Sequence, residues 1–207
     1  MKKNNLFKTE AFKCVIVLFL ITVLMCGLLA ILNDVLSVPQ EERLNRAVMK
    51  VYGKSVEATA KEIDPARVAE DLGSVDEYYA FTDEGVSYEL FKSTGSNGYK
   101  NGTVTMWILI KYEDGEAVSV KKAVLDSYEK QTLMSSFGEE FFDRYTSLTK
   151  DQLKDGVLFK TGKPNIDNNA FFDGNDVQHA VSGATRSSNA AKHAVNVVLL
   201  YVWGDLS

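Results

Sequence analysis

The feature that most constrains this chain is a run of 20 uncharged residues near its start, Cys14 to Asn33. An α-helix rises about 1.5 Å per residue, so a helix of this length matches the hydrocarbon core of a bilayer. A cleaved signal peptide has a shorter apolar segment, of about 7–15 residues, that ends at small residues. No such small-residue site follows this run, so the sequence predicts a retained transmembrane helix over residues 14–33.

Charged residues on either side of this run predict its orientation. Four lysines lie among residues 1–13, whereas Asp34, Glu41 and Glu42 follow the run. Because positively charged flanks stay in the cytoplasm, we expect residues 1–13 to be cytoplasmic. The localisation that follows is the cell membrane, with a single span and an extracytoplasmic C-terminal domain.

The rest of the chain has the composition of a folded, acidic domain. Hydrophobic residues make up 45% of the 207 residues, and the net charge is −5. Since the first 34 residues carry four lysines and two acidic residues, the remaining chain has a net charge of −7. Nucleic-acid binding favours basic surfaces, so no nucleic-acid partner is expected. Cys14 and Cys26 both lie in the membrane run, which leaves the exported part without a disulfide.

Helices are predicted on both sides of a strand-rich middle segment. Apolar residues recur at helical spacing in 40–52, which predicts an amphipathic connector helix packed on the domain. Segment 64–72 begins with Asp-Pro and precedes a glycine, a pattern that predicts a short helix. Aromatic residues recur at helical spacing in 134–145, which favours a core helix over a cofactor site. A final, largely apolar core helix is predicted over 187–203.

Consecutive strand signals with short turns between them predict an antiparallel meander rather than a doubly wound sheet. Segments 75–82 and 86–92 are joined by Asp-Glu-Gly, and segments 103–112 and 117–125 are joined at Asp114-Gly115. In 103–112, apolar residues occupy both faces of the predicted strand, which predicts a strand that is buried on both sides. The predicted fold class is α+β: an antiparallel sheet packed with helices, preceded by one N-terminal transmembrane helix.

The most distinctive short motif is Ser182-Gly183-Ala184-Thr185, between a polar loop over 161–176 and the final helix. Taken alone, it predicts a capped helix start, since serine and threonine are favoured N-cap residues. A helix start also presents unpaired N–H groups and the positive end of the helix dipole, which favour a phosphate. The motif by itself leaves both interpretations open.

The same motif before a C-terminal helix resembles the flavin-attachment motif of the FMN-binding domain family. That family includes the G subunit of the Rnf complex and the C subunit of the sodium-pumping NADH:quinone reductase. Two further segments resemble the family: Gly98-Tyr99 followed by Gly102 and a strand, and Gln131-Thr132-Leu133 before an aromatic segment. The single N-terminal membrane helix is also similar to that of the Rnf G subunit.

The resemblance implies a cofactor, a function and partners. In the family, a flavin transferase moves FMN from FAD to the last Thr of the motif, which corresponds to Thr185 here. The chain would then be a membrane-anchored flavoprotein subunit of an Rnf-type ion-translocating electron-transport complex, and not a stand-alone catalyst. Its partners would be the other membrane subunits and the transferase. The implied FMN-binding residues are Thr185, as the phosphoester, with Ser182, Gly183, Ala184, Ser188, Thr132 and Leu133.

One position departs from the family pattern and leaves an alternative open. The family has an Asp three residues before the motif Ser, and this chain has His179 there, with Asp176 as the nearest acid. The second hypothesis is therefore an extracytoplasmic interaction domain that keeps the fold and has lost flavin. The expected organisation is a cytoplasmic N-terminus (1–13), a transmembrane helix (14–33), a helical connector (34–74) and an extracytoplasmic FMN-binding domain (75–207).

Overall fold

The computed structural model describes residues 10–36, 39–150 and 184–204, and the chain divides into two compact units, Met1–Arg43 and Leu44–Ser207. The first unit contains helix α1, Glu10–Leu36. Within it, Phe12–Asn33 is long and apolar enough to cross a membrane, and none of that stretch is buried. The predicted N-terminal helix of membrane-spanning length is therefore present.

The second unit contains an antiparallel sheet, which has five strands in the described part of the chain, arranged in sequence order. The α+β prediction is confirmed; three of the predicted strands are longer than their patterns, and the fourth, over 104–113, is shifted by one residue. The sequence does not predict the first strand, because two residues cannot show an alternation. The strands are β1 (Thr59–Ala60), β2 (Gly73–Asp83), β3 (Val86–Gly95), β4 (Val104–Glu113) and β5 (Glu116–Tyr128).

Two-residue turns join β2 to β3 and β4 to β5. The registers leave Glu84-Gly85 and Asp114-Gly115 between the last paired residues of each hairpin. Both residues of each turn have positive φ, 52° and 81° in the first and 49° and 83° in the second. Positive φ at both positions is the type I′ geometry, whose twist matches that of the flanking strands. The predicted hairpins are confirmed.

Helices cover both faces of this sheet. Helix α2 (Gln40–Tyr52) packs on one face through Ala47, Val48 and Val51, as the amphipathic pattern predicts. The other face is covered by α3 (Glu139–Asp143) and by α4 (Thr185–Trp203). The second unit is thus a helix–sheet–helix arrangement, with an apolar core on each side of the sheet.

Strand β4 is apolar on both faces because helices cover both faces of the sheet. Met106 and Ile108 belong to the core beneath α4, whereas Trp107 and Leu109 belong to the core beneath α2. A strand that is buried on both faces is apolar at consecutive positions. The two-faced pattern predicted for 103–112 is therefore confirmed.

The helix predicted over 64–72 is wrong beyond its first turn. Pro65–Arg67 forms a single 3-10 turn, capped by the Asp64 carboxylate, which accepts from the Ala66 N–H at 3.0 Å. Val68 then has φ −84° and ψ 125°, an extended conformation. Val68 packs against the core beneath α4 from this extended chain. Tertiary packing overrides the local helix signal there.

The single helix predicted over 134–145 is also wrong, although its core assignment is confirmed. Met134–Ser136 forms a 3-10 turn, and α3 begins only after Gly138. Phe141 and Tyr145 are nevertheless buried in the core beneath α4. The aromatic side chains therefore reach the core from two short turns instead of one continuous helix.

Helix α4 lies against β3 and β4 at a very close approach. A Cβ atom added to Gly95 would lie 1.9 Å from the Ala190 carbonyl oxygen and 2.3 Å from the Ala194 nitrogen. The Ser93 hydroxyl donates to the Ala194 carbonyl at 2.8 Å. The predicted core helix is confirmed and begins at Thr185. The predicted loop 161–176, with Asp176, His179, Ser182 and Gly183, lies outside the described residues.

Candidate functional site

The candidate site lies at the end of the sheet where β3 and β5 end and β4 begins. A loop over 98–103 precedes β4, and a segment over 128–133 follows β5. Thr103 and Glu129 exchange two backbone hydrogen bonds, at 3.2 and 3.0 Å. The loop also closes on itself, because the Gly98 N–H donates to the Gly102 carbonyl at 3.0 Å. Two of the segments that resemble the FMN-binding domain family are therefore adjacent.

The buried Gln131 side chain joins this pair of segments to the start of α4. Its Oε1 atom accepts from the Tyr99 N–H at 3.0 Å and from the Ser187 hydroxyl at 2.7 Å. Its Nε2 atom donates to the Glu129 carbonyl at 2.7 Å and to the Tyr99 carbonyl at 3.3 Å. An amide has two donor hydrogens and two acceptor lone pairs, and all four are used here.

The two glycines of the loop leave room for this amide. A Cβ atom on Gly102 would lie 2.1 Å from the Glu129 carbonyl oxygen and 2.4 Å from Gln131 Nε2. A Cβ atom on Gly98 would lie 2.7 Å from the same Nε2 atom. Real Cβ atoms do not approach other heavy atoms this closely, so the loop needs a glycine at each position. The glycine spacing in the sequence thus has a packing cause.

The N-cap residue of α4 provides no side-chain cap, which differs from the Ser or Thr cap that the sequence predicts. Ala184 is the N-cap residue, is buried, and makes no side-chain hydrogen bond to the helix. Thr185 is the first helical residue and is half-buried, whereas Arg186 is exposed. An alanine N-cap costs about 0.5–2 kcal/mol relative to Ser, Thr, Asn or Asp.

The serines of the first turn point into the protein. Ser187 donates to Gln131, and the Ser188 hydroxyl donates to the Ala184 carbonyl at 3.1 Å. Both serines are buried. Ser188 is one of the implied FMN-binding residues, and in the structure its hydroxyl bonds within the helix. The role of Ser188 in cofactor binding stays a prediction.

Thr132 and Leu133 follow Gln131 and are both exposed, Leu133 by 42%. Since Gln131 contacts Ser187, the structure brings the segment with Thr132 and Leu133 next to the segment with Ala184 and Thr185. Sequence reasoning named Gln131 within a motif but missed its role as the link. The sequence signal for this role was the glycine pair Gly98 and Gly102, which leaves room for the Gln131 amide.

Two titratable side chains follow along α4. Lys192 is only 3% exposed, and desolvation, reinforced by the charge of Arg144, lowers its pKa to about 8. Desolvation also lowers the pKa of His193, whose Nδ1 lies 3.0 Å from the Ser96 carbonyl oxygen. Lys192 is seven residues from Thr185, so both lie on the same side of the helix. The first half of α4 is therefore polar and basic in its interior.

Comparison with known proteins gives no family to which the chain can be assigned. No family model, no curated protein and no solved structure matches it. Among the described residues, no group of three or more His, Cys, Asp or Glu side chains is arranged to hold a metal ion. Function must therefore be argued from the site itself.

Proposed function

We propose that the chain is a membrane-anchored flavoprotein subunit of an Rnf-type ion-translocating electron-transport complex, with FMN attached to Thr185 by a phosphoester bond. The observation that carries this proposal is the Gln131 side chain, which bonds to Tyr99 in one resembling segment and to Ser187 in the first turn of α4. That turn begins with Thr185, the last residue of the motif. The β4–β5 hairpin places 98–103 beside 128–133, whereas the contact with α4 joins side chains 56 positions apart in the sequence.

The start of α4 fits the phosphate of such a group. The first amides of a helix have no acceptor within the helix, and the dipole places partial positive charge there. Ala184 has no side-chain oxygen with which to satisfy them. The exposed Arg186, the next residue, adds a positive charge to the same first turn. An anion at this position would offset the cost of the uncapped start.

The protein's own contribution would be to hold and orient the flavin. FMN supplies the redox chemistry when it is bound. Thr185 would present its oxygen from the first turn of a helix whose backbone is fixed on β3 at Gly95. Thr132 and Leu133 would border the cofactor from the adjacent segment. A threonine hydroxyl is a weak nucleophile, so its attachment to FMN is assigned to a separate flavin transferase.

The membrane location follows from α1. Its lysine-rich N-terminal flank would lie in the cytoplasm, and the second unit would lie outside, where it would meet the other membrane subunits. A reporter enzyme that works only outside the cytoplasm, fused after Ser207, should therefore be active. A reporter that works only in the cytoplasm should be inactive there, and activity of that reporter would contradict this topology.

The proposal is tested by co-expressing the full chain with a flavin transferase and examining the denatured protein. Flavin fluorescence should migrate with the denatured chain, because a covalent phosphoester survives unfolding. Thr185→Val removes the hydroxyl and should abolish the fluorescence. Thr82→Val changes an exposed threonine at the opposite end of the sheet and should retain it.

The second candidate is an interaction domain of the same fold that has lost flavin, and His179 in place of an acid favours it. That candidate predicts a non-fluorescent parent protein in the same experiment. His179→Asp would then distinguish the two causes. Flavin gained by this variant would show that only the acid is missing, whereas no flavin in either form would leave the interaction domain as the function.

A further inference from the structure

The candidate site is bordered by an exposed patch that is both apolar and basic. In the described part of residues 44–204, four large apolar side chains are exposed, and three of them lie on the two adjoining segments of the site. They are Tyr99 at 39%, Tyr128 at 51% and Leu133 at 42%. Exposed apolar side chains that cluster in this way mark interaction surfaces.

The charges of this patch are opposite to those of the domain. The segments 98–103, 128–133 and 184–186 carry three cations, Lys100, Lys130 and Arg186, and one carboxylate, Glu129. Lys130 pairs with Glu129 at 3.0 Å, and the Lys100 ammonium lies 5.4 Å from the centre of the Tyr99 ring. The three segments thus have a net charge of +2, within a chain whose residues 35–207 have a net charge of −7.

The three segments form one surface because hydrogen bonds hold them together. Gln131 contacts Tyr99 on the loop and Ser187 on α4, and Arg186 directly precedes Ser187. Lys100 also has a positive φ of 52°, a backbone conformation that non-glycine residues adopt rarely. We call the exposed side chains of these segments the Tyr99 surface: Tyr99, Tyr128, Leu133, Lys100, Lys130 and Arg186.

We infer that the Tyr99 surface docks an electron-transfer partner with an acidic face. The inference rests on the proposed function, since the surface adjoins Thr185. Redox encounters bury small interfaces and are guided by complementary charge. A local excess of positive charge on an acidic domain directs an acidic partner to this end and repels it from the rest of the surface. The aromatic rings and Leu133 supply the apolar contact area.

The test uses the full chain in nanodiscs of zwitterionic lipid, with acidic rubredoxin as the probe and basic cytochrome c as the probe of opposite charge. Rubredoxin should slow amide hydrogen exchange in 98–103 and 128–133, and its binding should weaken as salt is raised. Lys100→Glu combined with Lys130→Glu should weaken that binding roughly five- to tenfold. Lys111→Glu combined with Lys121→Glu changes the net charge equally on β4 and β5, outside the Tyr99 surface, and should not weaken the binding.

Three results would overturn the inference: protection of these segments by cytochrome c, equal weakening by both double variants, or no binding of rubredoxin. Protection by vesicles of phosphatidylcholine with phosphatidylglycerol, without protection by rubredoxin, would overturn it in favour of a membrane surface. The binding measurement does not require flavin, so its outcome is separate from that of the proposed function. Rubredoxin binding by a protein that gains no flavin despite an active transferase would support the surface and contradict the flavin assignment.

Discussion

The two halves of α4 lie on the same sheet but bury different kinds of side chain. The second half buries mainly apolar residues such as Val198 and Leu199, with Asn196 as its one buried polar residue. The Trp203 indole N–H at its end donates to the Ala117 carbonyl at 3.0 Å. The first half buries four polar side chains among small alanines. Burial of polar groups costs free energy unless each is hydrogen-bonded. The buried polar side chains of the first half are Ser187, Ser188, Asn189 and Lys192.

The two ends of the helix differ in the same sense. Gly204 follows the last turn with a φ of 73°, and its N–H donates to the Leu200 carbonyl at 2.7 Å, as is common at helix C-termini. Ala184 at the start provides no cap. The second half therefore ends with a favourable C-terminal residue, whereas the first half begins with an unfavourable N-cap residue. Such conflicts between sequence and local stability are expected at functional sites.

The largest expected effect comes from Gly95, where the middle of α4 meets the sheet. Gly95→Ala places a methyl group against the helix backbone, so α4 must move away from β3. We expect a loss of at least about 4 kcal/mol of the free energy of unfolding, and a domain that does not fold cooperatively. Chemical denaturation of the full chain measures this. A variant with parental stability would contradict the close packing on which the comparison rests.

The sequence predicts the second half of α4 better than the first for a physical reason. The apolar run to Trp203 and the alternation in β4 are local patterns, and both give the correct element and buried face. The bond between Gln131 and Ser187 joins two polar side chains 56 positions apart, and no local pattern carries it. The helix predicted over 64–72 fails similarly, because the core contact of Val68 holds it extended. Local periodicity thus gives the fold, whereas the site depends on tertiary contacts.

The next effect is a pH dependence of the free energy of unfolding, which comes from Lys192 in the first half of α4. Its pKa is about 8 in the folded protein, against 10.5 for an ordinary lysine. Between these values the unfolded chain holds more protons, so the free energy of unfolding should rise with pH. From pH 8 to 9.5 the expected gain is about 1–2 kcal/mol.

Lys192→Met is the matched control for this pH dependence and should show no such rise. The raised pKa values of Tyr78 and Tyr112 act in the opposite direction, but only from about pH 10 upward. Urea denaturation at several pH values below 9.5 therefore isolates the lysine. An equal rise in the parent and in Lys192→Met would show that another group is responsible.

The smallest effect on stability, and the most specific one, is expected at Ser187. Ser187→Ala removes the hydroxyl bonded to Gln131 and should cost about 1 kcal/mol. Amide exchange at Tyr99 should become faster, because its acceptor Gln131 loses one anchor. Attachment of flavin at Thr185 should slow, since the first turn is less well held.

Ser93→Ala is the matched control for Ser187→Ala. It removes a buried hydroxyl that donates to the Ala194 carbonyl at 2.8 Å, away from Gln131. Its effect on stability should be similar, with no change in exchange at Tyr99 or in flavin attachment. Equal effects of the two variants on flavin attachment would show that the bond between Ser187 and Gln131 has no specific role in that attachment.

The central claim is that the first half of α4 carries a flavin on Thr185, and tryptic mapping tests it most directly. Trypsin cleaves after Arg186 and after Lys192, so Thr185 falls in one peptide and both Ser187 and Ser188 fall in the next. In protein made with the flavin transferase, the peptide ending at Arg186 should gain the mass of FMN less one water. In Thr185→Val it should gain nothing. An adduct on the peptide of residues 187–192, or an unmodified parent despite an active transferase, would contradict the account.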